Sequence, residues 1–225
     1  SISFTQDSPL PKELDKGEMQ QIIKNFVSAT KRAVRLGFSA IEFHGAHGYL
    51  IHEFISPISN KRKDEYGGKL DNRIKFPLEI LTEVRKVVPP HIALGMRITG
   101  TDWREDGLSV KDAQRAAQIL EENGLDYLCI SSGGITPSLN IPVGPGYQVH
   151  LAAAVKETVS IPVRAVGLIT SPTQANDIIV KGDANMVALA RAFLSNPRWV
   201  WDASIALQHS IKVPQQYERA YAIQK

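Results

Sequence analysis

Cysteine is almost absent. Cys129 is the single one in 225 residues, so no internal disulfide can form, and a reducing cytoplasm is the expected compartment. Long apolar runs are missing too: none approaches the roughly 18 residues that span a bilayer. The opening SISFTQDSPLPK lacks the basic-then-apolar order of a secretory signal. No charge sign dominates, since 26 basic and 23 acidic residues leave a net +3. The two signs are interspersed, so neither nucleic acid nor a membrane surface is an expected partner. A glycine-rich phosphate loop is also lacking, because SSGG and GPGY do not have the G-x-G-x-x-G or P-loop spacing. That absence argues against a doubly wound dinucleotide fold.

What is there reads as one α/β domain over residues 1–225, with 43% apolar and 22% charged residues. Helical stripes recur: Ile22, Phe26, Ala29 and Ala33 behind an Asp15/Glu18 capping pair; Ile74, Leu78, Leu81 and Val84 over 71–88, with Pro77 marking a first turn or a bend; Ala113, Ala116 and Leu120 behind Ser109. Ser171 reads as an N-cap, with Pro172 at the first helical position and Gln174 closing a box. Gly37, Gly124 and Gly182 stand where helices end. Between the helices lie five continuous apolar runs, 40–43, 92–98, 127–131, 163–166 and 186–189. Continuous apolarity predicts parallel strands with both faces covered. Polar residues gather where these runs end, which favours a (β/α)8 barrel, although eight strands are needed and five are counted.

Those strand-end residues carry the chemistry. His44 and His47, in FHGAHGYLIH, are spaced to aim two ring N–H donors at one oxygen, as in an oxyanion hole. Either could also ligate a metal, with Glu53 or His52 as the third ligand a zinc site needs, though the spacing matches no zinc pattern. Tyr49 is either a general acid or an aromatic lid. Arg97, ending an apolar strand, needs an anion, an electron-rich acceptor, or an ion pair to Asp102 or Glu105. Gly167, Ala190 and Arg191 follow the last two runs, where barrels place a phosphate ahead of a short helix such as RAFLSNP. The polar segment 56–73 reads as an ordered loop with internal ion pairing and a turn at Gly67-Gly68.

Together the segments FHGAHGYLIHEFISPISNKRKDEYGG, DNR, MRITGTDW, ISSGG, AVGLI and ALARAFLSNP resemble the Old Yellow Enzyme family of FMN-dependent ene-reductases, in its thermophilic-like subclass. The resemblance implies a TIM (β/α)8 barrel of which this chain supplies about strands 4 to 8. Strands 1 to 3 would then be on another chain, separate or cleaved, or absent; Ser1 in place of a methionine fits a cut or an unseen segment. It implies FMN and NAD(P)H as cofactors and an α,β-unsaturated carbonyl, an enone-type compound, as substrate. His44 and His47 would bind the carbonyl oxygen, and Tyr49 would protonate the α-carbon. Arg97 would face the flavin N1/O2 edge, while Gly167, Ala190 and Arg191 would hold its phosphate. Arg219 matches an arginine that reaches a neighbouring subunit's site, which implies a homo-oligomer with shared sites. Two alternatives are a cofactor-free barrel lyase or isomerase that uses Arg191 for a substrate phosphate, and a half-barrel that acts only by pairing with a partner chain.

Overall fold

Asp15 opens the first helix. Its side chain accepts from the Glu18 N–H at 2.8 Å, and the Glu18 side chain accepts from the Asp15 N–H at 3.0 Å. Two otherwise orphan donors are thereby satisfied. In this computed structural model, which describes residues 2–137 and 140–222, helix α1 spans Lys16–Arg35. Ser1 and the last three residues lie outside the described residues. The buried line of α1 is Met19, Ile23 and Thr30, with Phe26 and Val27 packed beside it. The larger Met19 and Ile23 side chains take the core-facing centre, so the apolar stripe is rotated from the expected one and Ala29 is exposed.

The strands are β1 Ala40–Gly45, β2 Ala93–Thr99, β3 Tyr127–Ser131, β4 Val163–Val166 and β5 Met186–Ala188. They pair in parallel, in the order β1-β2-β3-β4-β5. An order that never reverses has no switch point of the doubly wound kind; it is the order of a barrel wall. Helices α2 Leu50–Ile55, α3 Leu70–Arg73 and α4 Lys75–Arg85 link β1 to β2. They are followed by α5 Val110–Glu122, α6 Val149–Lys156 and α7 Pro172–Val180 between later strands. After β5 come α8 Arg191–Ser195, α9 Trp199–Ala206 and α10 Glu218–Ala222. The single helix expected over 71–88 is two, broken at Ile74, and Pro77 sits in the first turn of α4, where its missing N–H is least costly. Ser171 does cap α7, accepting from the Gln174 N–H at 3.1 Å. The Gln174 side chain, however, accepts from the Thr170 N–H, so the box is displaced by one residue.

The two sheet faces differ, which corrects the expectation of apolar cover on both. Phe43, Leu94, Met96, Ile98, Leu128, Ile130, Val163 and Ala165 are buried on the helix side, where α6 packs on β3 and β4. The alternate residues, Glu42, His44, Arg97, Tyr127, Cys129, Ser131 and Arg164, project from the other face. There Arg164 donates to Glu42 across the sheet, with its guanidinium 5.5 Å from the centre of the Tyr127 ring. Three strand spacings, about 14 Å in a flat sheet, separate these strands, so the pair requires the sheet to curl toward this face. The Tyr127 ring lies over Gly95, where a Cβ would meet it at 2.2 Å. Burial, then the neighbouring Glu42 carboxylate, push the Tyr127 phenol up to about 12.

Loops at the strand ends are clamped by buried polar groups. Asp102, fully buried, accepts from Ser56 Oγ and from the Leu108 N–H, both at 2.7 Å. His52 Nε2 lies 3.0 Å from its other oxygen, in a poorly aligned contact. Within the polar segment 56–73, Arg73 Nε donates to the Ile55 carbonyl at 2.6 Å, Asn60 Nδ2 donates to the Phe54 and Tyr66 carbonyls, and Arg62 pairs with Asp64. The segment is therefore ordered with an internal ion pair, as expected. Burial works against the Asp102 charge, but its His52, Ser56 and Leu108 neighbours outweigh this and hold the carboxyl below its ordinary range. The stabilisation it gives is complete above the unfolded value of about 3.9 and is lost as pH falls through the lower folded value. Asp102→Ala strands three buried donors and should cost about 3–5 kcal/mol. Urea unfolding of the two proteins should show that gap near neutrality and a narrowing gap in acid; a constant gap would contradict the assignment.

Candidate active site at the strand ends

The chain turns sharply as it leaves β1. Tyr49 N donates to the Ala46 carbonyl at 3.3 Å, and both central residues have positive φ, His47 at 60° and Gly48 at 77°. A type I′ turn has this pattern; glycine adopts it freely, and histidine is among the residues that tolerate it. A Cβ on Gly48 would fall 2.2 Å from the Gly134 carbonyl oxygen, and one on Gly134 would fall 2.6 Å from His47 Cα. The loops after β1 and β3 thus touch backbone to backbone. His52 secures the turn from α2, its Nδ1 accepting from the Gly48 N–H at 2.9 Å.

This turn brings three of the sequence candidates together. The His44 ring centre lies 5.1 Å from that of His47 and 5.2 Å from that of Tyr49. Strand register sets Arg97 directly beside His44. Arg97 Nη2 donates to Ser131 Oγ at 3.2 Å, while its Nε is buried without a partner. Neither expected alternative, an ion pair to Asp102 or to Glu105, forms among the described residues; Asp102 is held by Ser56, Leu108 and His52. Tyr49 is 64% exposed and so closes no core; it stands at the rim beside His44. Burial, then the Arg97 charge, lower the basicity of both imidazoles, bringing His47 to about 4. Near neutrality His47 is an uncharged ring, suited to hydrogen bonding rather than to ion pairing.

Gly167, at φ 131°, follows β4, and Ala190 and Arg191 open α8 after β5; the register pairs Val166 with Ala188, so these ends are neighbours. Arg191 is exposed and makes no ion pair among the described residues. Arg219 is exposed on α10. No group of three or more His, Cys, Asp or Glu side chains able to hold a metal ion occurs among the described residues. His52, the third ligand a metal would need, is committed to Gly48 and Asp102.

Sequence reasoning missed the hub of the site. Ser131 Oγ lies 2.7 Å from His47 Nε2, accepts from Arg97, and lies 3.3 Å from Gln148 Oε1. Ser132 Oγ donates to the same Gln148 oxygen at 2.5 Å, and Gln148 Nε2 donates to the Val166 carbonyl at 3.2 Å. Two serines ending a buried apolar strand were the available signal; Gln148 gave none. His47 has a clear signature in solution. Its folded value lies below the unfolded one near 6.5, so the stability it contributes is full above that pH and falls as pH drops toward 4. An NMR titration of the ring protons should keep His47 in its neutral form down to about pH 4, and a midpoint near 6.5 would contradict the burial described.

The family described as "NADH:flavin oxidoreductase / NADH oxidase family" matches residues 2–209. An NADPH dehydrogenase of Geobacillus thermodenitrificans is 42% identical over 221 residues, covering 98% of this chain and 64% of that protein. One of Clostridium acetobutylicum is 40% identical, covering 98% and 65%. The chain thus spans about two thirds of the length of these relatives or slightly less. Among solved structures, a 2-naphthoyl-CoA reductase complex superposes with a TM-score of 0.83 at 26% identity, over 92% of this chain and 32% of that one. A morphinone reductase variant in complex with tetrahydroNAD gives 0.71 at 26%, over 93% and 54%. These neighbours are (β/α)8 barrels, and the five strands here are about the fourth to eighth of such a barrel. The chain belongs to the NADH:flavin oxidoreductase / NADH oxidase family, the Old Yellow Enzyme group that its motifs resemble.

Proposed function

We propose that this chain carries the substrate-facing part of an FMN-dependent oxidoreductase that reduces the activated C=C bond of α,β-unsaturated carbonyl compounds at the expense of NAD(P)H. The observation that carries the reading is the convergence of His44, His47, Tyr49 and Arg97 at one end of the sheet. The residues present suit a flavin mononucleotide. Arg97 has a buried Nε without a partner and would meet the electron-rich pyrimidine edge of the ring. Gly167, Ala190 and the unpaired Arg191 at adjacent strand ends would hold the phosphate, Arg191 as a bidentate donor. A bound flavin supplies hydride transfer.

The chain's own residues would do the rest. His44 and His47 donate to the carbonyl oxygen of the substrate and draw electron density from its double bond. Neutral rings can do this without inviting a counter-ion into the site. Tyr49, beside His44 at the rim, holds a proton on its phenol oxygen for the substrate's α-carbon. The cofactor-free lyase or isomerase alternative needs a lysine or a free carboxylate base at the mouth. Among the described residues no strand carries a lysine, Glu42 is tied to Arg164, and Asp102 is enclosed by donors.

Five strands cannot close an eight-stranded barrel. We therefore propose that three further strand–helix units complete it, from another part of the protein or another chain. The exposed Arg219 is proposed to serve the site of a second copy in a homo-oligomer. We propose a cytoplasmic location, with which the buried, unbridged Cys129 is compatible.

The test uses the native preparation. It should be yellow with bound flavin and should consume NAD(P)H in proportion to enone reduced. Tyr49→Phe should slow turnover about 10²–10⁴-fold while leaving substrate affinity nearly unchanged. A colourless preparation, or an unslowed Tyr49→Phe, would overturn the reading.

A further inference from the structure

His47 can donate to a substrate oxygen from only one of its two nitrogens, and which one depends on where its single ring proton sits. The surroundings decide this. His47 Nε2 lies 2.7 Å from Ser131 Oγ, and the ring makes no other hydrogen bond among the described residues. Ser131 has one hydrogen to give and two acceptors within reach, His47 Nε2 at 2.7 Å and Gln148 Oε1 at 3.3 Å. Gln148 does not need it. Its amide is oriented by the Nε2 donation to the Val166 carbonyl, and its oxygen already receives the Ser132 hydroxyl at 2.5 Å. The charged Arg97 Nη2 donates into Ser131 Oγ at 3.2 Å, which occupies a lone pair and makes the hydroxyl a better donor.

We infer that Ser131 is a positioning residue: its hydroxyl donates to His47 Nε2, fixes the ring as the Nδ1–H tautomer, and leaves Nδ1–H as the donor to the substrate oxygen. The opposite arrangement spends the ring proton on Ser131 and leaves only a lone pair for the substrate, which repels an oxygen. It also turns Ser131's hydrogen to the more distant and already satisfied Gln148. The assignment of Nδ1–H to a substrate rests on the reading of His47 as a substrate donor, but the tautomer itself does not.

The tautomer is measured on the flavin-loaded protein without substrate, by long-range 1H–15N correlation of 15N-histidine-labelled material, with the His47 signals assigned by their loss in His47→Asn. In the unaltered protein Nδ1 should resonate as a protonated nitrogen and Nε2 as a bare one. Ser131→Ala should remove the bare-Nε2 preference and move the ring toward the Nε2–H form that free imidazole side chains favour. A protonated Nε2 in the unaltered protein, or an unchanged pattern in Ser131→Ala, overturns the inference whatever reaction the protein catalyses. Ser131→Ala should also weaken p-nitrophenol binding about tenfold, the size of one hydrogen bond to a charged oxygen. A shifted tautomer with unchanged p-nitrophenol affinity would leave Ser131's role standing and sink His47 as the substrate donor.

Discussion

The approach of Gly48 to Gly134 is the constraint from which the site follows. Two loops from strands that are not neighbours touch backbone to backbone, with no room for a side chain on either glycine. The contact fixes the positive-φ turn that carries His47, and it holds that turn against the end of β3, where Ser131 waits. His52 locks the same turn from the helix behind, and Asp102 holds His52. The histidine pair is therefore mounted on a rigid support. An unsupported surface loop would lose much of its polarising power to rotation, because a hydrogen-bond donor aids catalysis when it is already oriented.

The inner face of the sheet is charged where a soluble core is normally apolar. Glu42 and Arg164 neutralise each other over the Tyr127 ring, and Cys129 stands in register between Arg97 and Arg164. Burial raises the Cys129 thiol, so it sits there as a small protonated side chain. Glu42 lies two residues before His44 on β1, while Arg164 is level in the register with Cys129, Arg97 and His44. Glu42 and Arg164 offset each other in charge, and Arg97, which donates to Ser131, keeps a buried Nε without a partner among the described residues, as Arg164 does.

Much of the fold was legible because each strand's helix-facing half is strongly apolar and three of the longer helices open on a capping side chain. The capping residues Asp15, Ser109 and Ser171 all cap, and Gly37, Gly124 and Gly182 all take positive φ. What local pattern could not show was tertiary. Glu42 and Arg164 are far apart in sequence and meet only once the sheet curls. The break at Ile74 and the displaced box at Thr170 depend on packing around helix ends. In the site, His44, His47, Tyr49 and Arg97 were visible as polar residues ending apolar strands. The serines of SSGG also ended an apolar strand, but neither Ser131's role nor Gln148 could be read, because a serine or glutamine is ordinary until its partners are known.

We propose that neutral donors at these strand ends hold an oxygen beside a flavin. The most direct measurement is the visible difference spectrum of the native protein titrated with a simple phenol. A phenolate held against an oxidised flavin should give a new long-wavelength charge-transfer band, and His44→Ala combined with His47→Ala should abolish it while flavin remains bound. A flavin-loaded protein that shows no band, or a band that survives the loss of both histidines, would contradict the account.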